Sequence, residues 1–500
     1  MASQRVTHAG ASPFCSGFLA QNGESVWQDP LAMATEISQK KHEPKWMLEY
    51  RLACAELLKT IPQPAWGPDL SGLNLDKIQY YVDPKTVRKA TWQELPGDVA
   101  KIYDDLGIPE AEQSSLAGVG AQFDSEVVYH NLRETVRKKG VIYEDFDVAA
   151  RGEIPELSEA ENAKIANMVR EHYMQLVKPD EHFYAALHGA VHSGGSFVYV
   201  PKGVEVEIPL QAYFRFNAPS AGQFEHTLII VDEGAKLHFI EGCSAPKYNE
   251  ANLHAGCVEI YVGKKALVRY STVENWSKNM YNLNTKRAKV EAGGRLEWVS
   301  GSFGSHVTML YPCSVLAGKG ASSSYLGISL AGEGQDLDTG AKMIHLAPQT
   351  SSTIESKSIV KPGGKTTFRS LVKICAEDCK SSSNCDSLLV ENPVENSQNV
   401  AKSHKTAPEN VVKNTTLKAP VSDTIPSVEL KGVTADVSHE ARVGRISEEQ
   451  LLYLQSRGLS ESAARNLIVS GFAESVAREL PLEYAVEMNR LVNLEIKGGL

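Results

Sequence analysis

The chain has 500 residues, 42% hydrophobic and 22% charged, with a formal net charge of −10. A chain this long holds roughly two to four structural units and a core large enough to need no disulfide staples. Its acidic balance speaks against a nucleic-acid partner, whose phosphates require a basic stripe. No apolar run approaches the roughly 20 residues that cross a bilayer. The opening MASQRVTHAGASPFCSGFLAQNG lacks the basic start and apolar stretch of a secretory signal. A cytoplasmic location is therefore expected, with no membrane partner and with the eight cysteines kept as thiols.

In chain order, residues 1–30 read as a flexible N-terminus and residues 31–190 as mainly helical. The segment from Glu43 to Leu52 starts with Pro44 and places Leu48, Leu52 and Ala55 on one face. Further amphipathic stretches lie around 92–106 and 157–176. From about residue 191 to 440 the texture turns to β-branched and aromatic residues alternating with polar ones. Turns recur at Gly234, Gly263, Gly293 and Gly318, with a degenerate copy at Leu346-Ala347-Pro348-Gln349. A strand–turn–strand unit repeated at this spacing cannot bury its apolar face alone, whereas stacked units share a continuous core. The pattern predicts a β-solenoid, with a β-sandwich as the alternative.

Residues 391–431 carry Pro393, Pro408, Pro420 and Pro426 and no aromatics, the composition of a loosely ordered insertion. Residues 441–500 return to helix. Ser447 and Gln450 have the capping-box spacing, and further helix starts fall at Ser460 and Pro481. Helical regions at both ends suit a solenoid, whose ends must be closed.

Four motifs bear on chemistry. Gly364-Lys365-Thr366 imitates part of a phosphate-binding loop, but position 359 is Ile where that loop needs glycine, and a strand follows instead of a helix. If ATP drives this protein's work, a partner hydrolyses it. Cys375, Cys379 and Cys385 form a C-x3-C-x5-C run, wider than the usual structural zinc pairs. Cys243 lies where a strand meets a turn; it is either a packing residue or a reactive thiol served by cations such as Arg215, Lys286 or Arg287. His439-Glu440 offers imidazole and carboxylate ligands that matter only if thiolates converge on them.

Several segments together point to a family. They are Glu43-Pro44-Lys45-Trp46-Met47-Leu48-Glu49, Tyr199-Val200-Pro201-Lys202-Gly203-Val204, Tyr213-Phe214-Arg215-Phe216-Asn217-Ala218 and Gly222-Gln223-Phe224-Glu225. Further along come Ile240-Glu241-Gly242-Cys243-Ser244-Ala245-Pro246, Tyr270-Ser271-Thr272-Val273-Glu274-Asn275-Trp276, Asp338-Thr339-Gly340 and Asn384-Cys385-Asp386-Ser387. From near residue 40 to the C-terminus the chain resembles the SufB/SufD family of the SUF iron–sulfur cluster assembly system. The segments around Cys243 and Cys385 resemble its SufB branch.

The resemblance implies a mainly β fold, a right-handed parallel β-helix core between N-terminal and C-terminal helical regions. It implies a scaffold without turnover of its own, which carries a nascent, transient iron–sulfur cluster; a flavin is a further cofactor it leaves open. Cys243 resembles the family's sulfur-accepting thiol. Cys385 resembles the cysteine at the SufB–SufD interface where the cluster forms, with Glu440 and His439 as co-ligands. Arg215, Asn217, Glu274, Trp276 and Lys286 match positions lining the β-helix interior between the two thiols. The implied partners are the SufC ATPase, docking on residues 441–500, the SufD paralogue, a cysteine-desulfurase relay of SufS with SufE or SufU type, and apo acceptors or an A-type carrier. Glu274 stands where some members carry Gln, Ser438 where an acidic residue can precede His-Glu, and the segment between Cys385 and Glu440 is longer than usual. The rival readings are a structural SufD-like subunit and a β-helix enzyme acting on polysaccharide. The latter class usually carries a secretion signal and paired carboxylates, whereas the distinctive residues here are thiols.

Overall fold

The computed structural model describes residues 29–83, 88–89, 91–105, 109, 112, 116–390, 418–478, 485 and 488–490. Its centre is a parallel β-solenoid with two long sheets. In the first sheet, Leu210–Arg215, Lys236–Ser244, Leu267–Asn275, Arg295–Phe303, Ser322–Ala331, Ser351–Val360, Cys379–Leu389 and Ala435–Arg445 stack in that order. The second sheet stacks Gly195–Val200, His226–Val231, Cys257–Val262, Thr285–Val290, Cys313–Leu316, Asp336–His345, Lys365–Ile374 and Val421–Leu430. Short strands such as Asn252–His254 and Met280–Asn282 form a third side of the early turns, and Asp336–His345 is long enough to pair with both Val307–Leu310 and Cys313–Leu316.

The ladders run without slippage. Lys236 lies opposite Leu267, Leu267 opposite Arg295, Arg295 opposite Ser322, and Ser322 opposite Ser351. The turn glycines recognised in the sequence fall between these strands. Each strand points alternate side chains into the solenoid, where Phe239, Tyr270, Trp298, Tyr325 and Ile354 build one continuous core. The outward side chains Ile240, Val273, Val299, Ile328 and Ile359 build a second core, closed by Val469, Ala473 and Val476 of the helix Glu461–Ala477.

The structure revises four local expectations. The region 31–190 is not all helix, because Gly118–Phe123 and Glu126–Leu132 form an antiparallel pair and Ile142–Asp145 joins the second sheet. Their β-branched and aromatic residues extend the solenoid's first rung instead of forming a separate helical layer. In the helix Lys45–Leu57 the buried face is Met47, Arg51, Cys54 and Ala55, so of the predicted stripe Ala55 is fully buried whereas Leu48 and Leu52 are only half-buried. Arg51 goes inside because Glu43, at 2.6 Å, and the carbonyls of Ala190 and His192 satisfy its guanidinium. Within the expected loose insertion 391–431, Val421–Leu430 is a strand parallel to Lys365–Ile374. Its Pro426 is tolerated because no strand among the described residues lies on the other edge to need its missing N–H. Finally, the strand Ala435–Arg445 runs past residue 441, and helix begins at Glu448, capped by Ser447 accepting from Gln450 N–H. The predicted start at Pro481 and the segments 1–28 and 391–417 lie outside the described residues. Lys361–Gly364 forms a turn into the strand Lys365–Ile374, as the argument against a phosphate loop required. No helix among the described residues is long and apolar enough to cross a membrane.

Two turn glycines test how tightly the rungs approach. Gly304 (φ +78°) lies so close to the Trp276 backbone that a Cβ would overlap its carbonyl, whereas Gly320 (φ +71°) faces open space. Gly320→Ala should cost about 1 kcal/mol from left-handed strain alone. Gly304→Ala should cost over about 3 kcal/mol, because strain and overlap add. Chemical denaturation of both variants measures this, and equal losses would contradict the close approach.

Candidate functional site

Alternation along the strands decides which chemistry enters the solenoid. In Lys236–Ser244 the inward positions include Phe239, Glu241 and Cys243; in Leu267–Asn275 they include Tyr270, Thr272 and Glu274. Register carries two of these columns along the whole sheet. The Cys243 column continues through Glu274, Ser302, Ser329, Ser358 and Ser387. The neighbouring column runs from Glu241 through Thr272, Ser300, Gly327 and Ser356 to Cys385. Both thiols are thus buried in one interior, five strand spacings apart, roughly 24 Å at about 4.8 Å per rung. Small hydroxyls line the way between them, and Ser358 donates to Ser387 at 2.8 Å.

Around Cys243 the interior is charged. Lys286 reaches across from the second sheet and donates to Glu241 (2.9 Å) and Thr272 (3.1 Å), with Glu274 at 3.8 Å and the Tyr270 ring beneath its ammonium. Tyr270 donates to the other Glu241 oxygen. Asn282 holds Glu274 at 2.7 Å, and His254 bridges Asn282 (2.9 Å) and Glu225 (2.6 Å) with its ring 4.6 Å from that of Trp276. Burial pushes the Cys243 thiol well above its ordinary value; Glu241, Glu225 and Glu274 push it further, and Lys286 alone opposes them. The resting thiol is therefore protonated. Burial also raises Glu274, against the pull of Lys286 and His254. For Lys286, burial disfavours the charge but Glu241 and Glu274 outweigh it, so the ammonium is held. Trp276 Nε1, Glu225 Oε2 and Glu274 Oε1 are buried without a hydrogen-bond partner among the described residues. Such orphaned groups mark room for a polar or anionic guest.

Cys385 lies near the far end of the solenoid, its thiol pushed up to about 12 by burial and by Asp386. Among the described residues only Ala435–Arg445 follows it in the sheet. There Ser383 faces His439, Asn384 faces Glu440, and Cys385 faces Ala441. His439 accordingly shares the inward row with Cys385, at the exposed last rung. Glu440 lies on the outward row and pairs with Arg442 at 2.7 Å, so this chain does not bring it to Cys385. Cys379 is inside, where Thr350 (3.2 Å) links it to His345, itself held by Ser352 at 2.9 Å. Cys375 is half-buried just before it.

Of the interior residues expected from the sequence, Glu274, Trp276 and Lys286 gather at Cys243, whereas Arg215 and Asn217 do not line that interior. Phe214, not Arg215, shares the inward row with Cys243; Arg215 faces outward and donates to Ser244 at 3.0 Å. Asn217 lies past the strand end, its N–H donating to Asp124 and its carbonyl accepting from Tyr248. The parity of a strand sets this, since 215 and 243 sit one step out of phase in register. Glu241, Tyr270, Thr272, Asn282 and His254 were not singled out, nor were the serine columns. Glu241 was legible in principle, standing two residues before Cys243 and hence on the same face.

Residues 214–399 and 403–472 match a family model described as the SUF system FeS cluster assembly SufBD core domain. The chain is 48% identical over 467 residues, 93% of its own length and 92% of the relative's, to the iron–sulfur cluster assembly protein SufB of Bacillus subtilis. It is 47% identical over 470 residues, 94% of its own length and 93% of the relative's, to an iron–sulfur cluster assembly SufBD family protein of Staphylococcus epidermidis. A Staphylococcus haemolyticus protein of the same description matches at 47% over 467 residues, 93% of this chain and 92% of that one.

Two outcomes test the electrostatics. Lys286→Met strands Glu241 and Glu274 without their cation and should lower stability by about 3–5 kcal/mol. Adding Glu241→Gln should recover part of that loss in the same unfolding assay; no recovery would mean that the pair is not coupled. His345 is pushed down to about 4 by burial, so it stays neutral in the fold while the unfolded chain takes a proton below its ordinary 6.5. Its contribution is complete above that value and lost as pH falls from about 6.5 to about 4, by at most about 3 kcal/mol. His345→Gln should flatten this part of a stability–pH profile, and an unchanged slope would contradict the assignment.

Proposed function

Because the chain belongs to the SufBD family of iron–sulfur cluster assembly proteins, we propose that it is a scaffold on which sulfur enters at Cys243 and the cluster is built beside Cys385. The observation that supports this most is the register that sets the two thiols in adjacent inward columns joined by hydroxyls. Sulfur arrives as the persulfide of a cysteine-desulfurase relay, SufS with SufE or SufU type. The Cys243 sulfur attacks the outer sulfur of the donor, whose own thiol leaves, and the Cys243 proton passes to that leaving thiolate. The new persulfide is more acidic than a thiol. Its anion sits where Lys286 supplies positive charge and Trp276 Nε1 a free donor. Sulfane sulfur becomes the sulfide of a cluster only by gaining two electrons, so a reductant of the reduced-flavin class is required.

The serine columns offer hydroxyl donors to an anion moving toward Cys385, and the aromatic column beside them keeps oxidants and water out. At the far end Cys385, as thiolate, binds iron, the usual ligand chemistry of such clusters. His439 is the co-ligand this chain offers on the same row. Glu440 joins only by exchanging Arg442 for iron, which a rearrangement at the interface would accomplish. Among the described residues Val421–Leu430 and Ala435–Arg445 are the last strands of their sheets, and they leave Val428, Leu430 and Val443 about half exposed. An open, apolar solenoid end is an edge that a second solenoid covers, which suits the SufD paralogue. Leu452, Tyr453 and Leu467 on the C-terminal helices are likewise exposed and offer a docking face for the SufC ATPase. Apo acceptors or an A-type carrier then receive the cluster.

The test is iron and acid-labile sulfide per chain, measured anaerobically on protein co-expressed with SufC and SufD. Wild type should hold the two in near-equal amounts. Cys385→Ser should lose both by about ten-fold or more while keeping its fold, since a nascent cluster depends on its thiolate ligands. Cys243→Ala should lose them together with the persulfide detected on the wild type. Full loading in Cys385→Ser would move the cluster elsewhere, with Cys375 and Cys379 next in line, and persulfide on another cysteine would remove Cys243 from the path.

A further inference from the structure

A second set of ligating side chains lies on the outer face of the second sheet, away from both thiols above. His226 and Cys257 are register partners on adjacent strands, and His188 comes down on them from the helix Phe183–Val191. All three are fully buried, and one ligand atom from each lies within 4.8 Å of the others.

Hydrogen bonding fixes the proton positions. His188 Nδ1 is 3.0 Å from the Ala255 carbonyl, which can only accept, so Nδ1 carries the proton and Nε2 the lone pair. That lone pair faces His226 Nδ1 at 3.0 Å. On the other side of the His226 ring, Nε2 lies 3.4 Å from the Glu259 carboxylate. The His226 ring thus has an acceptor facing each nitrogen, the His188 lone pair at Nδ1 and the Glu259 carboxylate at Nε2. Glu259 itself is fully buried and bound by the backbone N–H groups of Met174, Leu176 and Val177.

The geometry points to a thiophilic d-block cation bound by His188 Nε2, His226 Nδ1 and Cys257 Sγ, tying the helix to the solenoid. Each imidazole then uses both nitrogens: His188 Nδ1–H holds Ala255, and His226 Nε2–H holds Glu259, the carboxylate–histidine–metal arrangement that orients ligands elsewhere. Either a monocation or a dication there balances the Cys257 thiolate. Met174 Sδ, 3.9 Å from Cys257 Sγ, stands next to the fourth position. Two imidazoles, a thiolate and a thioether suit zinc or copper(I), not magnesium or calcium. The other buried group of potential ligands, Glu43, Asp147 and His192, is different in kind, because Arg51 and Lys41 already neutralise its carboxylates.

The test uses the full chain carrying Cys385→Ser, which separates this metal from any cluster iron. Protein purified without chelator and then denatured should release about one zinc or copper per chain, and elemental analysis tells the two apart. Adding Cys257→Ser or His226→Gln should lower that about ten-fold or more, whereas Cys375→Ser should not. Refolding with Co2+ should produce a thiolate-to-cobalt charge-transfer band that disappears with Cys257→Ser. If that variant does not fold, the metal content and cobalt band of the parent still decide. Less than about a tenth of an equivalent in the parent, or content unchanged by Cys257→Ser, overturns the proposal.

Discussion

Everything in this protein's interior depends on an in-register parallel ladder. Because the side-chain period of a strand is two, a one-residue slip on any rung would turn Cys243 or Cys385 out of the solenoid and bring Ser244 or Asp386 in. The aromatic column Phe239, Tyr270, Trp298 and Tyr325 prevents that slip, since no neighbouring column could take its volume. The packing column sets the phase, and the polar columns inherit it. In this sense the apolar core is the positioning device for the chemistry two residues away.

The polar columns carry a cost that the fold must offset. A carboxylate–ammonium group buried as deeply as Glu241, Glu274 and Lys286 seldom stabilises a protein relative to apolar side chains of the same shape. Serine in the column from Ser302 to Ser387 likewise gives up packing that valine or leucine would provide. The compensation is visible on the other face of the same strands, where Val273, Val299, Ile328 and Ile359 lie under the C-terminal helix. The two faces of one sheet are thus specialised, one for stability and one for a guest that needs donors and charge.

How far this was legible in the sequence differs by level. The solenoid was readable because glycines 234, 263, 293 and 318 mark its turns at a nearly constant spacing, and spacing is a property of the chain alone. The first rung was not, since Gly118–Phe123 and Glu126–Leu132 are one antiparallel hairpin without a repeat to announce it. Nor was Val421–Leu430, where prolines and charges suggest a loop and only the ladder to Lys365–Ile374 makes a strand. At the site, Cys243, Glu274, Trp276 and Lys286 could be named from motif resemblance. Their convergence needed cross-strand register, which also exposes the assignment of Arg215 to the interior as a parity error. The buried His188, His226 and Cys257 come from three separate elements and share no motif, so nothing in the sequence joined them.

The two thiols have one property in common that bears on mechanism: burial holds both protonated at rest, Cys385 at about 12 and Cys243 well above its ordinary value. A scaffold whose thiols stood as thiolates would react with any oxidant or stray metal that reached them. Holding them as thiols makes reactivity conditional on a partner that changes their surroundings. In the function proposed above, that change at Cys243 would be the donor persulfide itself, whose departing thiolate would take the proton beside Lys286. At Cys385 it would be the covering of the solenoid end, where the exposed last described rung carries His439 and the Glu440–Arg442 pair. On that proposal, the burial that keeps the thiols protonated in the lone chain would let a partner decide when each one acts.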